Sequence, residues 1–185
     1  MIKILGLSGS LRKNSFNKAL LNNAKKLMPE DSELVIFDLK DIPIFNQDLE
    51  HDQPSSVKAL KSAVKSSDGL LISTPEYNYS FSGVLKNAID WISRPIEDNS
   101  FNEKIIAITS VSVGRFGGLR AQYHLRQVLT GLNRYTLTNP EIFISLAEKK
   151  FNEQGNLTDP QAIELLKKLL ENLVYSCKTQ KIPTF

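Results

Sequence analysis

Apolar residues in this chain form two alternating patterns: short continuous runs, and longer stretches in which they recur every three or four positions. The runs lie at positions 1–7, 33–37, 69–74 and 104–110, and a fifth at 135–145 is interrupted by Asn139-Pro140. Short continuous runs are typical of strands buried on both faces of a parallel sheet, and the longer stretches are typical of amphipathic helices. The pattern therefore predicts five strands that alternate with helices.

Capping residues predict where several of these helices begin. Ser15 precedes the first amphipathic stretch, and its hydroxyl can accept a hydrogen bond from a backbone N–H of the first turn. Ser55 or Ser56 is expected to cap the second helix in the same way. Asp159 followed by Pro160 predicts the start of the last helix, because proline needs no N–H at the first helical position.

Some large side chains do not fit the predicted core stripes. Trp91 falls off the apolar stripe of the third helix, either beneath a neighbouring loop or at a subunit contact. Arg120, Tyr123 and Gln127 share a polar face of the fourth helix, which faces either solvent or a second subunit. In the long connection at 38–53, the pair Ile44-Phe45 is expected to pack against the rest of the fold.

Alternating strands and helices predict an α/β fold, with a doubly wound parallel sheet, helices on both faces and right-handed crossovers. In such sheets ligands bind beyond the carboxyl ends of the strands, where the strand order switches. A flavodoxin-like order 2-1-3-4-5 brings the loops after strands one, three and four together. The chain of 185 residues shows no linker or repeat, so residues 1–185 are expected to form a single domain.

The loop that joins the first strand to the first helix, at positions 6–17, is rich in glycine and hydroxyl groups. Its polar side chains are Ser8, Ser10, Arg12, Ser15 and Asn17. They cluster at a helix N-terminus, where unpaired N–H groups and the helix dipole favour an anion. The loop lacks the second glycine of the dinucleotide-binding fingerprint and the Gly-Lys-Ser/Thr of a P-loop. It is either a phosphate cradle or an ordinary connection in which Ser15 only caps the helix and Arg12 points into water.

Two further loops are expected at the same edge of the sheet. The loop after the third strand is aromatic and polar, with the sequence Pro75-Glu76-Tyr77-Asn78-Tyr79-Ser80. The loop after the fourth strand, at 111–118, is rich in glycine. If the first loop binds a phosphate, the other two loops can bind a flat ring and the linker that joins it to the phosphate. FMN consists of these parts.

Charge and composition exclude several classes of function. The net charge is only +3, and the basic residues are scattered among acidic ones, which does not indicate a nucleic-acid-binding surface. The two histidines lie far apart, so no metal site is expected. Cys177, the single cysteine, is expected to be a small, partly buried residue rather than a reactive thiol. With no disulfide framework, leader or membrane-length apolar run, the sequence predicts a soluble, cytoplasmic protein.

Three motifs, in this order, resemble those of a known enzyme family. They are Gly9-Ser10-Leu11-Arg12-Lys13-Asn14-Ser15-Phe16-Asn17, then Pro75-Glu76-Tyr77-Asn78-Tyr79-Ser80 with Leu85-Lys86-Asn87-Ala88-Ile89-Asp90-Trp91, then Gly117-Gly118 with Gln122-Tyr123-His124-Leu125-Arg126-Gln127. Together they resemble the NAD(P)H-dependent FMN reductase family, and most closely its quinone, azo-dye and chromate reductase branch. The resemblance spans most of the chain, and only the region after about Leu146 is generic.

The resemblance implies which residues hold the cofactor. The residues implied for the FMN phosphate are Ser10, Arg12, Ser15 and Asn17, assisted by the backbone from Leu11 to Phe16. Those implied for the pyrimidine side of the flavin ring, largely through backbone N–H groups, are Pro75, Glu76, Tyr77, Asn78 and Tyr79. Ser112 is expected to approach from the third loop, with Ser110 as the alternative. The reaction implied by the resemblance needs no acid or base from the protein, so we assign no catalytic residue.

The same resemblance implies the activity. A hydride passes from NADPH or NADH through FMN to quinone, azo, nitro or metal-oxyanion acceptors by a ping-pong mechanism, in a homodimer or homotetramer. One alternative is a flavodoxin-type electron carrier, which the mildly basic charge disfavours because such carriers are typically strongly acidic. Another alternative is a flavin-binding protein without turnover.

Overall fold

The computed structural model describes residues 1–180, in which helices cover both faces of a parallel sheet. In chain order the strands are β1 (Ile2–Ser8), β2 (Ser32–Phe37), β3 (Gly69–Thr74), β4 (Glu76–Tyr77), β5 (Ser80–Phe81), β6 (Ile105–Val111), β7 (Tyr135–Thr136) and β8 (Ile142–Ile144). The helices are α1 (Phe16–Lys26), α2 (Ser55–Lys65), α3 (Gly83–Ile92), α4 (Leu119–Gly131) and α5 (Pro160–Thr179). Short 3₁₀ turns lie at Gln47–Leu49, Ile96–Asp98 and Ala147–Lys149.

The strands of the main sheet are ordered β2-β1-β3-β6, and both β7 and β8 pair with β6. β7 lies beside the start of β6 and β8 beside its end, all in parallel. The predicted fifth strand is thus two short segments on either side of Asn139-Pro140, as the proline in that run indicated. With these segments counted as one strand, the order 2-1-3-4-5 and the flavodoxin-like α/β fold are confirmed. The antiparallel hairpin β4-β5 was not predicted.

The hydrophobic core has two layers, one on each face of the sheet. Leu71 of β3 packs in the layer beneath α1 and α5, whereas its neighbours Leu70 and Ile72 pack in the layer beneath α2, α3 and α4. Successive side chains of a strand point to opposite faces, so a strand buried on both sides is apolar along most of its length. Within residues 1–180, no helix is long and apolar enough to cross a bilayer.

Two of the three predicted helix caps are confirmed. The Ser15 hydroxyl accepts a hydrogen bond from the backbone N–H of Lys18 at 3.3 Å, and the Asp159 carboxylate accepts one from Ala162 at 2.8 Å. The prediction for α2 is wrong. The helix begins at Ser55, so both serines lie within its first turn, and the N-cap position is occupied by Pro54, whose ring has no hydrogen-bond acceptor.

Trp91 is completely buried, although it lies off the stripe that faces the sheet. The connection after β2 covers it: its indole Nε1 donates to the Pro43 carbonyl at 2.8 Å, and the Phe45 ring contacts it edge-on with centroids 4.9 Å apart. The neighbouring-loop alternative is therefore confirmed, and the subunit-contact alternative is wrong. Of the predicted packing pair, only Phe45 packs, since Ile44 is 86% exposed.

Cys177 lies on the buried side of α5, against Ile4 and Gly69 at the start of the sheet. Burial raises the pKa of its thiol to about 12, so the group stays protonated at neutral pH. This agrees with the prediction of a small buried residue rather than a reactive thiol.

Candidate functional site

The loops after β1, β3 and β6 meet at one edge of the sheet and enclose a cleft. The cleft is lined by Ser10, Arg12, Ser15, Phe16, Asn17, Pro75, Glu76, Tyr77, Val111, Ser112 and Val113. All predicted site residues are among these except Leu11, Asn78 and Tyr79. Val111 and Val113 are additional lining residues, and nothing in the pattern of an apolar strand end marks them as such. The predicted convergence of the three loops is therefore present in the structure.

A close approach of the first two loops depends on Gly9. A Cβ atom at this position would lie 2.8 Å from the Ser82 hydroxyl and 3.2 Å from Pro75 Cδ. The backbone N–H of Gly9 also donates to the Ser73 carbonyl at 2.9 Å, which extends the pairing of β1 with β3 by one residue. A side chain here would crowd the Ser82 hydroxyl and the Pro75 ring, so glycine allows the end of β1 to lie this close to the start of the second loop.

The first loop presents hydrogen-bond donors that suit a phosphate. The Ser10 and Ser15 hydroxyls accept from the N–H groups of Arg12 and Lys18, at 3.4 and 3.3 Å, which leaves both hydroxyl protons for another acceptor. Within residues 1–180 the exposed Arg12 guanidinium has no ionic or hydrogen-bonding partner. With the N–H groups at the start of α1, these donors fit a doubly charged phosphate.

Glu76 performs a role that the sequence did not reveal. Its Oε2 accepts hydrogen bonds from the backbone N–H groups of Arg120 at 3.0 Å and Ala121 at 3.4 Å, in the first turn of α4. Its Oε1 lies 3.2 Å from the Arg120 guanidinium. The N-cap position of α4 is Gly118, which has no side chain to satisfy these N–H groups. Glu76 therefore caps α4 from a loop more than forty residues away in the chain.

The tip of the second loop is a tight turn between β4 and β5. Asn78 and Tyr79 both have positive φ angles, of 48° and 69°, which non-glycine residues rarely adopt and asparagine tolerates best. The guanidinium carbon of Arg120 lies 5.1 Å from the Tyr79 ring centroid and 4.6 Å from that of Phe116, within cation–π range. An arginine flanked by two exposed aromatic rings thus forms the rim of the cleft beside Glu76.

The two candidate serines of the third loop have different surroundings. Ser110 is completely buried: its hydroxyl donates to the Gly117 carbonyl at 2.6 Å and accepts from Gln122 Nε2 at 2.8 Å. Gly118 is required beside it, because a Cβ there would lie 2.7 Å from the Ser110 hydroxyl oxygen. Ser112 lines the cleft, and its hydroxyl accepts from the N–H of Gly114 at 3.0 Å.

The fold and the cleft define a flavodoxin-like α/β protein whose first loop is rich in hydrogen-bond donors and whose cleft has an aromatic rim. The family model for NADPH-dependent FMN reductase matches residues 2–149 of the chain. An NAD(P)H-dependent FMN reductase of Pseudomonas aeruginosa is 47% identical over 173 residues, which cover 93% of each chain. A quinone reductase of Escherichia coli K12 is 37% identical over 169 residues, which cover 89% of each chain.

A solved structure agrees with these sequence comparisons. The flavoenzyme NAD(P)H:(acceptor) oxidoreductase of Paracoccus denitrificans superimposes with a TM-score of 0.88 at 33% identity, over 96% of this chain and 98% of that one. The chain therefore belongs to the NADPH-dependent FMN reductase family. This confirms the predicted family, the predicted oxidoreductase class and the predicted use of FMN with a nicotinamide nucleotide. The chain carries out flavin-dependent oxidoreduction.

The capping role of Glu76 leads to a prediction about stability. We expect Glu76→Ala to lower the free energy of unfolding by about 1 to 2 kcal/mol, because two N–H groups of α4 lose their acceptor. Arg120→Ala removes the partly exposed ion pair but keeps the cap, so its effect should be smaller. Urea denaturation of the flavin-free protein, followed by circular dichroism, measures both. An equal loss in the two variants would contradict the capping role.

Proposed function

We propose that the cleft at the carboxyl edge of the sheet binds FMN and that the chain passes two electrons from NADPH or NADH to small-molecule acceptors. The observation that supports this most strongly is the Arg12 guanidinium, which has no partner within residues 1–180 and lies with two serine hydroxyls at the start of α1. A cluster of donors with one unpaired positive charge suits a terminal phosphate, which riboflavin lacks and FMN carries.

The proposed cofactor contacts follow the three loops. On the phosphate side, the proposed contacts are made by Ser10, Arg12, Ser15 and Phe16, with Leu11 contributing backbone only. Asn17 lies at the same end of the cleft, and the protein leaves one N–H of its side chain for a ligand. On the side of the ring, the proposed contacts are made by Pro75, Glu76, Tyr77, Asn78, Tyr79 and Ser112. The Glu76 carboxylate already accepts hydrogen bonds from α4, so we propose that Glu76 contacts the flavin ring through its backbone. Fixed backbone N–H groups stabilise negative charge on the pyrimidine side of a flavin.

Bound FMN supplies the hydride chemistry of the reaction. The chain's own residues bind and orient the cofactor and leave an open rim, and no protein acid or base is assigned. Tyr77, Tyr79 and Phe116 are all exposed at or beside this rim, where they offer apolar surface to flat molecules. We propose that the nucleotide and the acceptor use the rim in turn, which is a ping-pong mechanism.

The acceptors proposed are quinones, and more broadly azo compounds, nitro compounds and metal oxyanions. The proposal of quinones is supported by relatives named as quinone reductase, and by a 2-hydroxy-1,4-benzoquinone reductase of Burkholderia that is 38% identical over 170 residues.

Steady-state rates of NADPH and NADH oxidation test the mechanism. Parallel double-reciprocal lines at several quinone concentrations are expected. Intersecting lines would contradict ping-pong turnover, and no oxidation without a protein partner would favour a flavodoxin-type carrier.

Arg12 provides the test of the phosphate contact. We expect Arg12→Ala to weaken FMN binding by about 1.5 to 3 kcal/mol, the usual range for a hydrogen bond to a charged group. Riboflavin binding should be unchanged, because riboflavin has no phosphate. Fluorescence titration of the flavin-free protein with each flavin measures both values. Equal affinities of the wild type for FMN and riboflavin would contradict the phosphate assignment.

We also propose that residues 1–185 act as one cytoplasmic domain and assemble as a homodimer or homotetramer. The single domain is supported by α1 and α5, which pack on the same face of one sheet although they come from opposite ends of the chain. A reducing setting is supported by the single, buried cysteine. With Trp91 buried, the proposed contact surface contains Arg120, Tyr123 and Gln127.

The contact surface can be tested at Tyr123. Its ring is 46% exposed, and its hydroxyl lies 3.4 Å from a Glu141 carboxylate oxygen. We expect Tyr123→Asp to shift the protein toward monomer and to lower activity, because the new charge would be buried without a partner in the contact. Tyr175→Asp is the control, at a tyrosine that is 52% exposed on α5. Light scattering across a dilution series measures the molar mass of each variant. A Tyr123→Asp variant that stays assembled would contradict the proposal that this surface forms the subunit contact.

A further inference from the structure

Asn17 is the second residue of α1 and is only 3% exposed. Its Oδ1 accepts hydrogen bonds from the Val111 backbone N–H at 3.1 Å and from the Ser73 hydroxyl at 2.9 Å. Its Nδ2 donates to the Val111 carbonyl at 3.0 Å. An asparagine side chain has two donor and two acceptor positions, so the protein itself occupies three of the four. A residue whose main task is to bind phosphate would keep its donors free, as the Arg12 guanidinium does in the described part of the chain.

The partners of Asn17 lie where the other two walls of the cleft begin. Val111 is the last residue of β6, and Ser112 and Val113 of the cleft follow it directly. Ser73 is the second-last residue of β3, two positions before Pro75 of the aromatic loop. One buried side chain of the first loop therefore contacts the ends of both strands from which the other loops start.

We propose that Asn17 is a positioning residue, which holds the first loop at a set distance from the loops after β3 and β6. It acts on the whole cleft, on the side of the flavin ring as well as on the side of the phosphate. This inference rests on the proposed function, because it takes FMN as the occupant of the cleft.

The chemistry of the pairing explains why an amide is needed. Val111 presents its N–H and its carbonyl to the same side chain, so that side chain must accept and donate side by side. Aspartate would keep the acceptor but would set a carboxylate oxygen against the Val111 carbonyl. Leucine has a similar size and would leave the Ser73 hydroxyl and both Val111 groups without this partner. Unpaired polar groups are costly in a buried setting, so the loops would move to find other partners.

The same helix contains a matched control. Asn23 is 8% exposed, and its Nδ2 donates to the carbonyls of Ala19 and Gly155, both at 2.8 Å. Its Oδ1 accepts from the N–H of Leu157 at 3.0 Å. Asn23 thus makes as many hydrogen bonds as Asn17, but it lies about 9 Å further along α1 and does not line the cleft.

The test compares two flavins with flavin-free protein. We expect Asn17→Leu and Asn17→Asp to weaken FMN and riboflavin by similar factors of about tenfold or more. Arg12→Ala should instead weaken FMN alone. Asn23→Leu should lower the melting temperature about as much as Asn17→Leu, but leave both flavin affinities unchanged. Ser73→Ala should weaken both flavins less than Asn17→Leu and should add little in the double variant, because the two residues share one interaction.

Two results would overturn the proposal. If Asn17→Leu weakened FMN and left riboflavin binding unchanged, Asn17 would be a phosphate ligand. If Asn23→Leu reduced flavin affinity equally, the effect would be general destabilisation. If Asn17→Leu does not fold, the riboflavin affinity of Ser73→Ala is the test. An affinity equal to that of the wild type would contradict the proposal. The proposed function would fail in a different way, which needs no Asn17 variant to detect. The wild type would then bind neither flavin, or Arg12→Ala would bind FMN as tightly as the wild type.

Discussion

The parallel pairing of β1, β3 and β6 is the constraint on which the rest of the structure depends. Ser8 is paired with Ser73, and Ser73 with Thr109, so the three strands end at nearly the same level. Each strand is buried on both faces, which leaves its carboxyl end as the place where polar loops can begin. Three loops of unrelated sequence therefore leave the sheet side by side, and Gly9 allows the first two to approach closely.

The ends of these strands change from aliphatic residues to buried hydroxyls. Ser73, Thr74, Thr109 and Ser110 are all completely buried, and each hydroxyl donates a hydrogen bond. Three of these bonds reach the loops and helices of the cleft, from Ser73 to Asn17, from Thr74 to Pro75 and from Ser110 to Gly117. A buried hydroxyl that lost its partner would be costly, so these bonds restrict the loops to one arrangement. The cleft is thus shaped by polar groups beneath its surface as much as by its lining.

Charge is distributed unevenly around the cleft, with a paired carboxylate on one side and, within residues 1–180, an unpaired guanidinium on the other. The Glu76 carboxylate is paired with the Arg120 guanidinium and accepts hydrogen bonds from two backbone N–H groups at the start of α4. Arg12 has no such partner within residues 1–180 and remains available to an anion. Membership in the NADPH-dependent FMN reductase family agrees with a cleft that has hydrogen-bond donors at one end and an aromatic rim at the other.

The sequence alone predicted the helices, the strands of the main sheet and the caps Ser15 and Asp159, because strand runs, helical spacing and caps are short-range signals. The sheet order and the meeting of the three loops followed from the general rules for doubly wound sheets, whereas the hairpin β4-β5 was found only in the structure. Only the tertiary structure showed the burial of Trp91, the cap that Glu76 places on α4 and the network around Asn17. Helical spacing shows which face of a helix meets the sheet, but it does not show that a distant loop covers another face. A polar side chain likewise carries no local signal for its partner, and the partners of Asn17 lie 56 and 94 residues away.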